Sequence, residues 1–426
     1  EDWSWQRVVL ERYSVRGTDV LGIGNFSVVR RGVDSKTRSM VAVKSLKDSS
    51  DSKFRREVFL FRELLGDPPD LKPDSQQPGA PQLVERSMSL LGAEGELGVT
   101  GQGGSAVMPR PEDMLVRMLN HSPLDGLAQG QPRYCVLEMG HFTLHDLILH
   151  CRDMTRRDQT HSLSRGEELL RVLLHLVRAL AFLHSRCFAH GDVKPANVMW
   201  FGNEVDGVWK LIDLDGLLIS SQLVDMRDAD FYTPIYAAPE VGAAVVAEGP
   251  LRISRRLDVW AAGATVLEME LLRPPLWGKF EELCGCDSGG GVAAFLRWLS
   301  ETPSPIPFPE VPRVASRELL EVLRGSMLVS QPTRRTSAAE LMEHPRLCSL
   351  CAAPAPKLKP AAPPPAAAKP PTAFQLFQAL HKPELEQEGL KGAKLLQELH
   401  RRWKQLQKDG GEELEQLKLQ EAALRQ

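Results

Sequence analysis

The chain has 426 residues, 42% of them hydrophobic, which is length for two or three domains and ample apolar mass for a large core. A formal net charge of −3 excludes a strongly basic protein that coats nucleic acid. Seven cysteines, an odd number with no secreted-style spacing, exclude a disulfide framework and favour a reducing compartment. The pairs Cys284-x-Cys286 and Cys348-x-x-Cys351 flank unrelated segments about sixty residues apart, so they are read as ordinary thiols and not as a zinc site. No run of eighteen apolar residues occurs, and Glu1-Asp2-Trp3-Ser4-Trp5 lacks the charged and apolar regions of a signal peptide. The expectation is a cytoplasmic or nuclear protein without a membrane partner. Because the chain begins without Met, a preceding segment stays open.

In chain order, residues 1–20 hold two tryptophans and alternating apolar residues, read as a first strand with a lead-in, residues 1–15, that packs on the first lobe. Leu21-Gly22-Ile23-Gly24-Asn25-Phe26-Ser27-Val28-Val29 follows, a glycine-rich stretch whose missing side chains let backbone N–H groups approach a triphosphate. Val41-Ala42-Val43-Lys44 alternates like a strand and ends on a lysine. Phe54-Arg55-Arg56-Glu57-Val58 opens a helical pattern with Glu57 spaced to meet Lys44. Pro- and Gly-rich sequence fills most of residues 66–131, which is expected to be a flexible insertion, with Gln82-Leu83-Val84-Glu85 as a candidate strand inside it.

Arg133-Tyr134-Cys135-Val136-Leu137-Glu138-Met139-Gly140 reads as a buried strand. Thr143-Leu144-His145-Asp146 starts a helix. Leu169, Leu173, Leu176, Val177, Leu180 and Leu183 then repeat at three and four residues, the core-facing stripe of a helix over Glu167 to His184. That helix delivers the chain into His190-Gly191-Asp192-Val193-Lys194-Pro195-Ala196-Asn197. Sixteen residues after Asn197 comes Asp213, in Lys210-Leu211-Ile212-Asp213-Leu214-Asp215. Ala238-Pro239-Glu240, Asp258 in Leu257-Asp258-Val259-Trp260, and Arg335 in Arg335-Thr336-Ser337-Ala338 complete the series.

Seven motifs in this order resemble the eukaryotic protein kinase family, serine/threonine type, over about residues 10–347. The resemblance implies an α+β bilobal fold, a small β-rich lobe on a large helical one, for residues 16–347. It implies ATP and Mg²⁺ as cofactors and serine or threonine residues of proteins as acceptors. On the motif positions, Gly22, Gly24, Val29, Ala42, Lys44 and Glu57 would hold the nucleotide. Leu137 would guard the back of the adenine pocket, Glu138 and Met139 would bond the adenine edge through their backbone, and Asp146 would lie near the ribose. Asp192 would orient the acceptor hydroxyl, Lys194 would neutralise the moving phosphate, and Asn197 with Asp213 would hold magnesium. His190, His184 and Asp258 would be scaffold residues, and Glu240 with Arg335 a buried ion pair. Every charged position is filled, which argues against the alternative of a pseudokinase scaffold.

Three positions depart from the family pattern. Ser27 replaces the third glycine, which the first two glycines make tolerable. Gly191 stands where an arginine often precedes the catalytic aspartate, so no bidentate partner awaits a phosphorylated loop there. Activity is therefore expected not to depend on phosphate at Ser220, Ser221 or Thr233. Asp215 replaces the glycine after Asp213-Leu214, which reduces hinge freedom; a rival alignment puts Asp215-Gly216 in the metal role.

Residues 348–370 read as an Ala/Pro-rich, semi-rigid linker. Residues 371–426 follow as a small all-α module. Phe374 and Phe377, spaced before a Leu-rich run with Trp403, resemble the opening and second helix of an HMG box, which bends DNA. Residues 369–426 hold ten Lys or Arg against nine Asp or Glu, a weak basic excess for DNA. The tail is thus expected to take a DNA or protein partner, and a chromatin-associated role is a further alternative.

Overall fold

The computed structural model describes residues 6–24, 27–46, 51–68, 110–125, 131–156, 165–203, 206–227, 229, 231–285, 291–303, 306–308, 317–352, 377, 381, 385, 392–409 and 414–415. Alternating apolar residues build a six-stranded antiparallel sheet in the order β1-β2-β3-β4-β6-β5. Its strands are β1 (Gln6–Val9), β2 (Tyr13–Ile23), β3 (Ser27–Asp34), β4 (Met40–Leu46), β5 (Met118–His121) and β6 (Tyr134–Glu138). Val9, Tyr13, Val15, Val41, Val43 and Val136 pack together on one face. The period of two then turns Ala42 and Lys44 to the other face.

The lead-in belongs to this sheet: β1 pairs with β2 from Gln6↔Arg16 to Val9↔Tyr13. Arg12 in the connecting turn is bonded twice to Asp34, at 2.7 and 2.6 Å. That guanidinium, first among its causes, holds the Asp34 carboxyl well below the usual carboxylate range. Helix α1 (Asp51–Leu65) buries Phe54, Val58, Phe61 and Leu64 at helical spacing, and Glu57 lies on that same stripe.

Residues 110–125 carry core, although the sequence assigned them to an insertion. Met114, Leu115 and Val116 are buried, and Leu115 bridges to Leu211 across the lobe boundary. The strand after α1 among the described residues is β5, while the candidate strand at 82–85 lies outside them.

The large lobe is built on α2 (Leu144–Arg156), α3 (Arg165–Ser185), α4 (Pro239–Val246), α5 (Arg256–Leu271), α6 (Trp277–Gly285), α7 (Gly291–Glu301), α8 (Arg317–Val322), α9 (Ala338–Met342) and α10 (Pro345–Ala352). All six predicted stripe residues of α3 are buried. Helix α5 is buried on every side from Leu257 to Glu270, so it is the post around which the lobe packs. Three short two-stranded antiparallel sheets lie over this helical core: β7 (Phe188–Ala189) with β10 (Leu218–Ile219), β8 (Val198–Phe201) with β9 (Val208–Leu211), and β11 (Leu223–Asp225) with β12 (Pro250–Arg252).

In the tail, α11 (Gly392–Asp409) is helical, and Phe377, Leu385, Leu399 and Leu414 are buried. No helix among the described residues is long and apolar enough to cross a membrane.

Candidate active site

The sheet sets the roof of the cleft in two rows. One row runs Gly22↔Val29↔Lys44↔Cys135, the other Ala42↔Leu137↔Met118. Register alone therefore brings the glycine stretch, Val29 and Lys44 side by side, with Ala42 next to Leu137. Gly22 has nothing within 4 Å of where a β-carbon would sit, and Gly24 donates its N–H to Ser27 O at 2.8 Å. Asn25 and Phe26 lie outside the described residues.

Lys44 Nζ bonds Glu57 Oε1 at 2.9 Å in the interior and stands 4.0 Å from Asp213 Oδ1. Glu57 reaches it because α1 is held inward. Arg56 donates to Leu217 O, and Arg55 donates to Leu124 O and Asp125 Oδ1, both at 2.6 Å. Asp213 has φ +66° and ψ +59°, a left-handed backbone that aims its carboxylate at Lys44 while Leu214 is buried. Asp213 thus lies beside Lys44, while the Asp215 side chain is outside the described residues.

The loop before it is fixed from beneath. Asp258, on α5, accepts from His184 Nε2, His190 N and Gly191 N, each at 2.8 Å. Burial would raise the Asp258 carboxyl, but the hydrogen bond and charge of His184 and the Gly191 N–H hold it below its ordinary value. The His190 ring contacts Ile212 O at 3.0 Å, so this histidine joins the two halves of the site as a buttress.

Asp192, partly exposed, then faces the cleft in a closed set of contacts. Lys194 Nζ donates to Asp192 Oδ2 at 2.6 Å and to Thr233 Oγ1 at 2.8 Å, and Thr233 Oγ1 donates to Asp192 Oδ1 at 2.7 Å. Asn197 Nδ2 donates to Asp192 O at 2.9 Å, which leaves the Asn197 carbonyl oxygen for another partner. That oxygen and the half-exposed Asp213 carboxylate are the hard donor set a Mg²⁺ ion prefers, so the residues fit the metal.

At the hinge, two residues the sequence reading did not single out matter. Glu138 Oε1 accepts Lys210 Nζ at 2.6 Å and Arg117 N at 2.9 Å, and the Lys210 ammonium lies 4.8 Å from the Phe201 ring centroid. This pair ties the hinge strand to β9, three residues before Asp213. A lysine inside the apolar run of β9 was the available signal. Met199, on β8, presses its sulfur against Gly140, where a β-carbon would come within 2.2 Å. The hinge backbone thus sits close on the lower lobe. Asp146 spends its carboxylate on Thr143 N and Oγ1 at 3.0 and 2.7 Å, capping α2.

Beyond the cleft, Gly191 has φ +82°, and a β-carbon there would meet Leu218 and Phe231 at 3.0 and 3.1 Å. Apolar side chains fill the space above it. Arg335, with no exposure, clasps Glu240 at 2.8 and 3.0 Å. Tyr236 Oη donates to Glu268 Oε2 at 2.6 Å beside the Thr233-Pro234 turn. Burial pushes the Glu268 carboxyl up to about 7 and also raises the Tyr236 phenol.

The family model described as the protein kinase domain matches residues 127–347, just over half of the chain. MAP kinase-activated protein kinase 2 of Mus musculus is 27% identical over 197 residues, 46% of this chain and 46% of that protein. MAP kinase-interacting serine/threonine-protein kinase 1 of Xenopus tropicalis is 28% identical over 233 residues, 49% of this chain and 55% of that protein. The chain spans about half the length of the curated relatives it matches. The matched region holds the catalytic-loop cluster, Asp213 and the Glu240–Arg335 clasp, and by that match the chain belongs to the protein kinase family.

Proposed function

We propose that this chain is an ATP- and Mg²⁺-dependent protein kinase that transfers the γ-phosphoryl group to serine or threonine residues of protein substrates. The observation that carries the reading is the assembled charge set of the cleft: Lys44 bonded to Glu57 and turned to Asp213, with Asp192 and Lys194 in contact opposite. Gly22, Gly24 and Val29 line the phosphate side, and Ala42, Leu137, Glu138 and Met139 the adenine side. Lys44 meets the α and β phosphates, and Glu57 fixes its direction. When bound, Mg²⁺ would supply positive charge that offsets the charge of the phosphates. Asn197 and Asp213 supply its oxygen ligands from this chain.

Asp192 accepts a hydrogen bond from the acceptor hydroxyl and orients it, taking the place that Thr233 Oγ1 holds at 2.7 Å. Lys194, already 2.6 Å from Asp192, offers its ammonium to the phosphoryl oxygens as negative charge shifts toward the leaving group. A lysine two residues after the aspartate supports serine and threonine as acceptors.

The decisive measurement is radiolabel transfer from ATP to a generic basic protein by wild type and by Asp213→Asn. Wild type is expected to label the protein and the variant to lose at least about 10²-fold, as for removal of one charge-stabilising group. Equal labelling would remove the mechanism.

For the tail we infer a helical module built around the Phe377 and Trp403 rings, whose centroids are 5.2 Å apart. That aromatic pairing supports the HMG-box-like reading of residues 371–426. Its near balance of charge favours a protein partner over DNA. A steep fall of DNA binding by the full chain with rising salt would reverse that preference.

A further inference from the structure

Helix α11 has two faces with different partners. Its apolar side is turned inward: Leu399 is buried, and the Trp403 ring meets Phe377. Its polar side carries Gln397, Arg401, Lys404 and Lys408 at spacings of three and four residues. One end of that polar side lies on the large lobe. Gly291 opens α7 with φ +53°, and the position a β-carbon would take there is 2.8 Å from Gln397 Nε2 and 3.3 Å from its Cδ. The Gln397 side chain thus lies directly over the first residue of α7.

Two helical turns further along the same side, the Lys404 charge reaches the Cys284 thiol at the end of α6; burial raises this thiol and Lys404 opposes the rise. Glu282 on the same helix is already paired with Lys279 at 2.6 Å, so Cys284 is the group of α6 that the Lys404 charge reaches. Gln397 over Gly291 and the Lys404 charge on Cys284 two turns away describe one helix lying across one corner.

We propose that the corner between α6 and α7 is the seat of the chain's own C-terminal helix, docked in cis. This rests on the reading of the tail as a folded helical module. The contact is light, since Gln397 and Lys404 keep much of their exposure, and two free molecules would not be held by it. The linker changes that. The Ala/Pro-rich sequence joins lobe and module covalently, which keeps the helix near the corner at an effective concentration on the order of millimolar.

The seat is joined to the substrate side of the lobe. Helix α7 packs so closely on α4 that a β-carbon on Gly242 would be 2.6 Å from Leu296 O. Helix α4 begins at Pro239, directly after the Thr233–Tyr236 turn that touches Asp192. Docking of α11 therefore braces the platform behind the acceptor turn. A partner that took the polar face of α11 would have to lift it from α7.

The test uses the full chain. A short reagent joining a thiol to an amine is applied to dilute wild-type protein mixed from isotopically light and heavy chains. A Cys284–Lys404 link is expected, light with light and heavy with heavy. Hydrogen exchange over the first two turns of α7 is expected to rise about tenfold in the full-chain double variant Gln397→Ala, Lys404→Glu. Absence of the link, mixed light–heavy links, or equal α7 exchange in both proteins would overturn the cis seat. In that event slow exchange within α11 would leave the module reading standing, whereas fast exchange there would remove the module as well.

Discussion

At the scale of single residues, position in the interior decides which charges do chemistry and which hold shape. Glu268 is the clearest case outside the cleft, since burial pushes it up to about 7 while the unfolded chain ionises it near 4.5. The folded state therefore keeps a proton that the unfolded state releases, and the stability contributed by the neutral form falls as pH rises from about 4.5 through about 7. The shift corresponds to a few kcal/mol at most. Glu268→Gln keeps the acceptor for Tyr236 and cannot ionise, so its denaturation midpoint should fall less than that of wild type across this window; parallel curves would deny the shift. Lys44, Glu57, Asp192, Lys194, Asn197 and Asp213 were legible as residue types at fixed intervals, because phosphoryl transfer tolerates few substitutes. Lys210 and Met199 were not, because a strand pattern does not say which neighbour a side chain will find across the fold.

Between elements, the large lobe depends on a few polar clasps inside apolar surroundings. Arg335→Met leaves Glu240 without its bidentate partner, and the expected loss is about 3 to 5 kcal/mol in chemical denaturation. A loss below about 1 kcal/mol would mean solvent reaches the glutamate. At the activation segment, Gly191 with Leu218 and Phe231 replaces the arginine that would await a phosphate. Ser220→Ala with Ser221→Ala should thus label substrate within about twofold of wild type, and a large drop would require a phosphate there. Thr233 differs, because its hydroxyl is already committed to Asp192 and Lys194. Helix α3 was readable from spacing alone. The segment 110–125 was not, because its buried residues stand beside a Pro- and Gly-rich stretch and form no periodic run long enough to outweigh it.

Over the whole molecule, ligand and stability are linked through both lobes. Nucleotide at about 100 times its Kd with Mg²⁺ should stabilise the chain by about 2.7 kcal/mol, seen as a rise in Tm. Lys44→Met should abolish most of that rise, and should also lower the Tm of the free protein because Glu57 loses its buried partner. An unchanged rise in the variant would place the nucleotide elsewhere. Order of motifs conveyed the two-lobed plan in advance, and alternation in the first residues conveyed a strand there, whose pairing with β2 only the fold identifies.

The row that sets Leu137 beside Ala42 also offers a practical handle. On the adenine side proposed above, Leu137→Gly is expected to admit an ATP analogue enlarged on its purine. Enzymes that keep a bulky side chain at that place would reject the same compound. In a crude extract, a tagged phosphoryl group delivered from the analogue would then mark the targets of this chain alone.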